Sequence, residues 1–194
     1  MRKDKLIAVT GGIGSGKTTA LNALKNAGYG VVSCDETTKE LYKKRRTKKC
    51  LKKLFPSAVS GKIFLTIDKK ELSKIVFLDK NENKKLTDYT TPLIFKKTIK
   101  KARKKRGKVF VEVPLLFEKG YEKEFDEIIV ILRDKTERIE SVISRSNLTK
   151  VEVEKRIESQ IDYDSLDLSK VKTVKNGKDK QKFVSEVLDL AKKL

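Results

Sequence analysis

A chain of 194 residues has room for one ordinary domain around a single core, with space for an inserted lobe. Hydrophobic and charged residues each make up 38% of it, the pattern of a globular but heavily solvated protein, and no apolar run nears the roughly 18 residues of a membrane span. Two cysteines and no histidine exclude a disulfide framework, histidine catalysis and most zinc sites, while a formal net charge of +20 fits nucleic-acid binding, an anionic small-molecule substrate or a lysine-rich composition with no specific meaning.

The opening MRKDKLIAVTGG lacks the long apolar core of a signal peptide, which predicts a cytoplasmic protein. Residues 5–10 (KLIAVT) read as a strand that runs into glycines. A helical pattern then carries Leu21, Ala23, Leu24 and Ala27, and Gly28 is a natural stop. Residues 30–33 (GVVS) read as a second strand. The runs at 108–113 (KVFVEV) and 127–132 (EIIVIL) follow, both apolar enough to be covered on two faces. A short fifth strand is expected at 172–174. Helices are expected at 135–145, at 149–160 with Thr149 and Glu152 as a capping box, and at 179–193. Strands alternating with helices predict an α/β fold built on a parallel sheet. The interval from about 36 to 106 is too long for a simple crossover and holds helical patterns of its own. An inserted helical lobe beside the carboxyl ends of the strands is the expectation.

Charge concentrates at 39–53 (KELYKKRRTKKCLKK) and 95–108 (FKKTIKKARKKRGK). Apolar residues recur through both at helical spacing, so solvated faces of amphipathic helices are the leading reading. Attraction of a polyphosphate substrate is a second. Nucleic-acid binding is disfavoured, because neither run is interleaved with stacking aromatics.

The segment GGIGSGKT, from Gly11 to Thr18, matches the phosphate-loop pattern G-x-x-x-x-G-K-T. Four fixed positions match by chance in roughly 1% of chains this long, so context decides, and here a strand precedes and a helix follows. Glycines let successive backbone N–H groups turn toward phosphate oxygens, and the following helix adds its positive dipole end. Gly12, Ile13, Gly14, Ser15, Gly16, Lys17, Thr18 and Thr19 are therefore the expected nucleotide contacts. Lys17 would bridge the β- and γ-phosphates, and the Thr18 hydroxyl would ligate Mg²⁺. No guanine-reading NKxD element is present. Asp35, just past the second strand, stands where a carboxylate can orient an attacking hydroxyl and take its proton. It could also serve as a helix N-cap before ETTKEL.

Further along, VPLLFE (113–118), TPLI (91–94) and RSNLTKVEVEKRIESQ (145–160), together with TGGIGSGK and Asp35, resemble the dephospho-CoA kinase family over nearly the whole chain. The resemblance implies transfer of the ATP γ-phosphoryl group to the ribose 3′-hydroxyl of dephospho-CoA, with ATP and Mg²⁺ required. It implies a single domain in three parts: a P-loop nucleotide core with a five-stranded parallel sheet (1–35, 107–143 and 165–194), a helical CoA-side lobe (36–106) and a lid (144–164). Asp35, Lys17 and Arg145 fall on the family's catalytic positions. Glu112 would hold Mg²⁺ through water, its alternative being a solvated strand-end acid. Gln160 and Asn176 fall near the adenine-side contacts. Thr91, Pro114, Leu115, Phe117 and Glu118 fall on the acceptor side, with packing and turn roles as the alternative for Pro114, Leu115 and Leu116.

The chain departs from that pattern at four places. Ser33-Cys34-Asp35 stands where the family has DAD, and Thr91 where it has histidine. Arg145-Ser146-Asn147 replaces Arg-Asp-Gly, and the acidic Asp162-Tyr163-Asp164 follows Gln160 where an arginine is usual. None of these touches Lys17, Thr18, Asp35 or Arg145. A related P-loop small-molecule or nucleoside kinase, and a basic RNA-binding protein on a nucleotide fold, are the other readings. Oligomeric state is not encoded in any of these motifs.

Overall fold

Buried parallel strands rich in Val and Ile build the centre of the protein, seen in a computed structural model that describes residues 4–146 and 148–194. Asn147, one of the lid departures, lies outside the described residues. In chain order the elements are β1 (Lys5–Thr10), α1 (Lys17–Asn26), β2 (Gly30–Ser33), α2 (Cys34–Lys43), α3 (Arg45–Leu54), β3 (Val59–Ser60), β4 (Thr66–Ile67), α4 (Lys69–Leu78) and α5 (Lys80–Ala102). The chain continues through β5 (Lys108–Glu112), β6 (Glu127–Leu132), α6 (Lys135–Ile143), α7 (Lys150–Glu158), β7 (Lys172–Lys175) and α8 (Lys180–Lys193). No described helix is long and apolar enough to cross a membrane.

By its packing the chain divides into two units, Met1–Ser33 with Lys101–Leu194, and Cys34–Lys100. The first unit carries the expected five-stranded sheet, all parallel, in the order β2-β5-β1-β6-β7. Residues of both parities are buried: Ile7 and Val9 alternate with Ala8, Ile129 and Ile131 with Val130. The sheet is therefore covered on both faces, as its continuous apolar strands require. On one face Ile7, Val9, Phe110, Ile129 and Ile131 pack with Leu21 and Leu24 of α1 and Phe183 and Val187 of α8. The connection from β1 leads toward the β5–β2 side, while β6 and β7 lie on the other side of β1. The loop after β1 thus sits at the point where the strand order reverses, where α/β sheets open a crevice for ligands.

The second unit is helical around Leu51, Phe55, Ala58, Val59, Leu65 and Leu72. Its β3–β4 hairpin had no signature in the sequence. In α3, Thr47 and Leu51 are buried while Arg45, Arg46, Lys49 and Lys53 are exposed, the amphipathic arrangement expected of that basic run. Thr91-Pro92 lies inside the 23-residue helix α5. A proline there removes one backbone donor and usually ends a helix, so this element's continuity is not readable from sequence.

Candidate active site

The loop between β1 and α1 is held as a cradle by donors placed on its carbonyl oxygens. Lys17 Nζ donates to Gly11 O at 2.7 Å and to Gly12 O at 2.9 Å. Arg138 Nε donates to Ile13 O at 2.9 Å, and Asn176 Nδ2 to Ser15 O at 2.8 Å. Arg133 Nη1 reaches Gly14 O at a weaker 3.4 Å while its Nε pairs with Glu137 at 3.3 Å. In a trans peptide the C=O and the next N–H point in opposite directions. The Ile13 and Ser15 carbonyls, drawn to Arg138 and Asn176, therefore turn the N–H groups of Gly14 and Gly16 the other way, toward where an anion would lie. Gly11, Gly14 and Gly16 adopt φ of 142°, 78° and 105°, backbone that L side chains rarely take. Close packing also requires glycine: a Cβ on Gly16 would stand 2.2 Å from Asn176 Nδ2, and one on Gly14 2.5 Å from the Arg138 carbonyl oxygen.

Gln160 and Asn176 both meet this loop. Gln160 Oε1 accepts from Ile13 N at 2.7 Å, and Asn176 is buried under Ser15. Arg133, just past β6, and Arg138, in α6, escaped the sequence reading, since a charged residue carries no mark of a contact more than a hundred residues away. The Ser15 hydroxyl is buried, and its Oγ has no hydrogen-bond partner among the described residues. Thr18 and Thr19 follow at the start of α1, with Thr18 exposed.

At the ends of β2 and β5, Ser33 pairs in register with Glu112 and donates its hydroxyl to Glu112 Oε2. Glu112 is 6% exposed, which corrects the reading of it as a solvated strand-end acid: it is a buried carboxylate held by a hydroxyl. Asp35 lies two residues beyond β2, exposed, in the first turn of α2. The helix already begins at Cys34, so Asp35 is a first-turn acid, favoured by the helix dipole, and not the N-cap. Within the second unit it lines a cavity of about 400 Å³ with Tyr42, Lys39, Lys69, Leu72 and Val76. Thr91 is half-buried in α5 and does not line that cavity. Arg145 is exposed just past α6.

Residues 114–120 form turns after β5, and Leu116 is fully buried beneath them. Pro114 and Leu115 are half-buried in that turn. Phe117 meets Tyr163 edge to face at 6.1 Å, and Glu118 Oε1 accepts from Ile161 N at 3.3 Å. Tyr163 in turn shares a hydrogen bond of 3.1 Å with the buried hydroxyl of Thr10, at the end of β1. Burial raises the Tyr163 phenol above its usual range, so it remains a neutral hydroxyl at physiological pH. Burial pulls the Arg138 guanidinium down, and Asp164, Tyr163 and Asp162 oppose that shift.

Hard oxygen donors at Thr18 and Glu112 suit a cation of the Mg²⁺ type. No group of three or more His, Cys, Asp or Glu residues among those described forms a metal cage. Mg²⁺ does not require one, because it keeps several waters and is shared with substrate phosphates.

Known proteins match this arrangement along most of the chain. The family model for dephospho-CoA kinase matches residues 5–180. A dephospho-CoA kinase of Helicobacter pylori (strain J99) is 33% identical over 163 residues, 81% of each chain. The crystal structure of a Thermus thermophilus protein superposes with a TM-score of 0.83 at 28% identity, covering 97% of this chain and 96% of that one. A dephospho-CoA kinase from Campylobacter jejuni superposes with a TM-score of 0.67 at 27% identity, covering 98% and 97%.

Proposed function

The chain belongs to the dephospho-CoA kinase family, and from that premise we propose that it transfers the γ-phosphoryl group of ATP to the ribose 3′-hydroxyl of dephospho-CoA, releasing ADP and CoA. The observation that carries the acceptor half is the cavity of about 400 Å³ with Asp35 in its lining. Apolar Leu72 and Val76 suit the uncharged arm of such an acceptor, and Lys39 and Lys69 suit its diphosphate.

On the donor side, inward N–H groups hold the phosphates, and Lys17 exchanges the carbonyls of Gly11 and Gly12 for the β- and γ-phosphate oxygens. Asp35 accepts the proton of the 3′-hydroxyl as the new O–P bond forms and the bond from the γ-phosphorus to the β,γ-bridging oxygen breaks. Arg145 lays its charge on the transferring group, whose negative charge must be matched in the transition state. Thr18 and Glu112 would hold Mg²⁺, which neutralises charge across the β- and γ-phosphates when bound. Phe117 and Glu118 hold the segment after α7 in place beside the turn at 114–116. On this reading the protein works in the cytoplasm, and RNA is not among its ligands because the basic runs at 39–53 and 95–108 lack interleaved stacking aromatics.

A coupled ADP-release assay against dephospho-CoA, nucleosides and shikimate tests the reading. Turnover confined to dephospho-CoA is expected, and turnover on another acceptor alone would sink it. Asp35→Asn is expected to lower turnover by about 10²–10⁴-fold while ADP affinity stays within about twofold. Near-normal turnover in that variant would remove Asp35 from the mechanism.

A further inference from the structure

We infer that Arg138 is a positioning residue of the nucleotide loop: it fixes the Ile13–Gly14 peptide so that the Gly14 N–H faces the bound phosphates. The inference rests on the loop being the ATP site, and not on the identity of the acceptor.

Ile13 is gripped through both of its backbone groups. Its N–H donates to Gln160 Oε1 at 2.7 Å, and its C=O accepts from Arg138 Nε at 2.9 Å. The two partners lie on opposite flanks of the segment that contains α7, one on α6 and one just after α7. The Ile13 side chain completes the grip by packing against Ile139, Val142 and Val153.

The chemistry of the grip concerns one peptide plane. Drawing Ile13 O toward Arg138 points the N–H of Gly14 the other way. Gly14, at φ 78°, has no side chain to resist a flip of that plane. A flipped plane would present a carbonyl dipole to the phosphates in place of a donor. The guanidinium also lies close against the loop: a Cβ on Gly12 would stand 2.2 Å from Arg138 Nη2 and 2.5 Å from its Cζ. A planar fork makes such a seat and a lysine does not. Asp162 and Asp164 favour the charged guanidinium against its burial.

The test pairs Arg138→Met with Arg138→Lys in the full chain. ADP is titrated calorimetrically without acceptor, and the Gly14 amide is followed by NMR. Arg138→Met is expected to weaken ADP binding about tenfold, the ordinary worth of a charged hydrogen bond. The KM for ATP should rise by the same factor, while kcat and the acceptor KM stay within about threefold. The Gly14 amide shift that ADP induces in the parent protein should be lost. Arg138→Lys keeps the charge without the fork and should recover less than half of the affinity. Parent-like ADP binding in Arg138→Met overturns the inference, as does full recovery by lysine, which also decides the matter if the Met variant does not fold. A parent protein that fails to bind ADP would instead overturn the donor-site reading beneath it.

Discussion

Each glycine of the phosphate loop has its own reason for being there, and the reasons differ in how forgiving they are. At Gly12 the nearest atoms to an added methyl belong to the Arg138 guanidinium, a flexible side-chain end that would have to leave its seat on Ile13 O. At Gly14 it meets the backbone carbonyl of Arg138 at 2.5 Å, and φ is 78° as well. Left-handed backbone alone costs a non-glycine residue about 1–2 kcal/mol, and a helix backbone cannot step back to relieve the contact. Gly14→Ala is therefore expected to weaken ADP binding well beyond tenfold, and Gly12→Ala by no more than the loss of about tenfold expected from removing Arg138, both read by calorimetry. Equal losses would mean that the clash with α6 is not what makes glycine necessary. Tyr163 is a second residue whose role is set by one atom. Tyr163→Phe removes the partner of the buried Thr10 hydroxyl and should cost about 1 kcal/mol in denaturant unfolding, and an unchanged stability would deny that hydrogen bond its role.

Among the elements, α7 depends most on its own ends. Only Val153 of its residues is buried, so its capping box carries much of its definition. The Thr149 side chain accepts from Glu152 N, and Glu152 accepts in return from Thr149 N at 2.8 Å. That backbone bond holds the Glu152 carboxyl below its ordinary value. A depressed carboxylate pKa stabilises the fold fully above the unfolded value, and the effect is lost as pH falls through the folded one. The amide resonances of Lys150–Glu158 should therefore shift toward coil as pH drops below about 4.5, the ordinary value for a glutamate. Glu152→Gln should remove that titration, and an unchanged titration would deny the box its role. Thr149→Ala should cost about 1 kcal/mol of helix stability. This box was legible in the sequence because both partners lie within four residues, and the same locality made the glycine loop and the five sheet strands legible. Arg138 and Tyr163 were not, because their partners lie 125 and 153 residues away and no periodicity encodes such a pairing. The β3–β4 hairpin escaped because strands of two residues show no alternation, and α5 because Pro92 reads as a stop. Glu112 was placed correctly at a strand end, but its burial depends on a neighbouring strand that brings Ser33 opposite.

Over the whole molecule, a net charge of +20 meets substrates that are both polyanions, and the question is what that charge does. Ion pairs on the surface are mostly exposed, such as Lys84–Asp88 and Arg106–Asp4, and exposed pairs of this kind contribute little to stability. The excess cations therefore act chiefly as a field. A field of one sign raises the rate at which oppositely charged ligands arrive, and salt screens it over a Debye length of about 10 Å at 0.1 M. Steering should appear in kcat/KM, which contains the encounter, and not in kcat, which begins from the bound complex. Raising ionic strength from about 20 mM to about 300 mM is expected to lower kcat/KM for ATP several-fold while kcat holds, with Mg²⁺ and nucleotide speciation kept constant. The same field would draw in RNA at low salt, but phosphate contacts without stacking partners lose affinity steeply as counterions compete. RNA binding should thus be absent at about 150 mM salt, where the kinase still turns over. A kcat/KM that is flat in salt would leave the charge with no part in catalysis, and RNA affinity persisting at 150 mM would give the basic faces of α3 and α5 a ligand of their own.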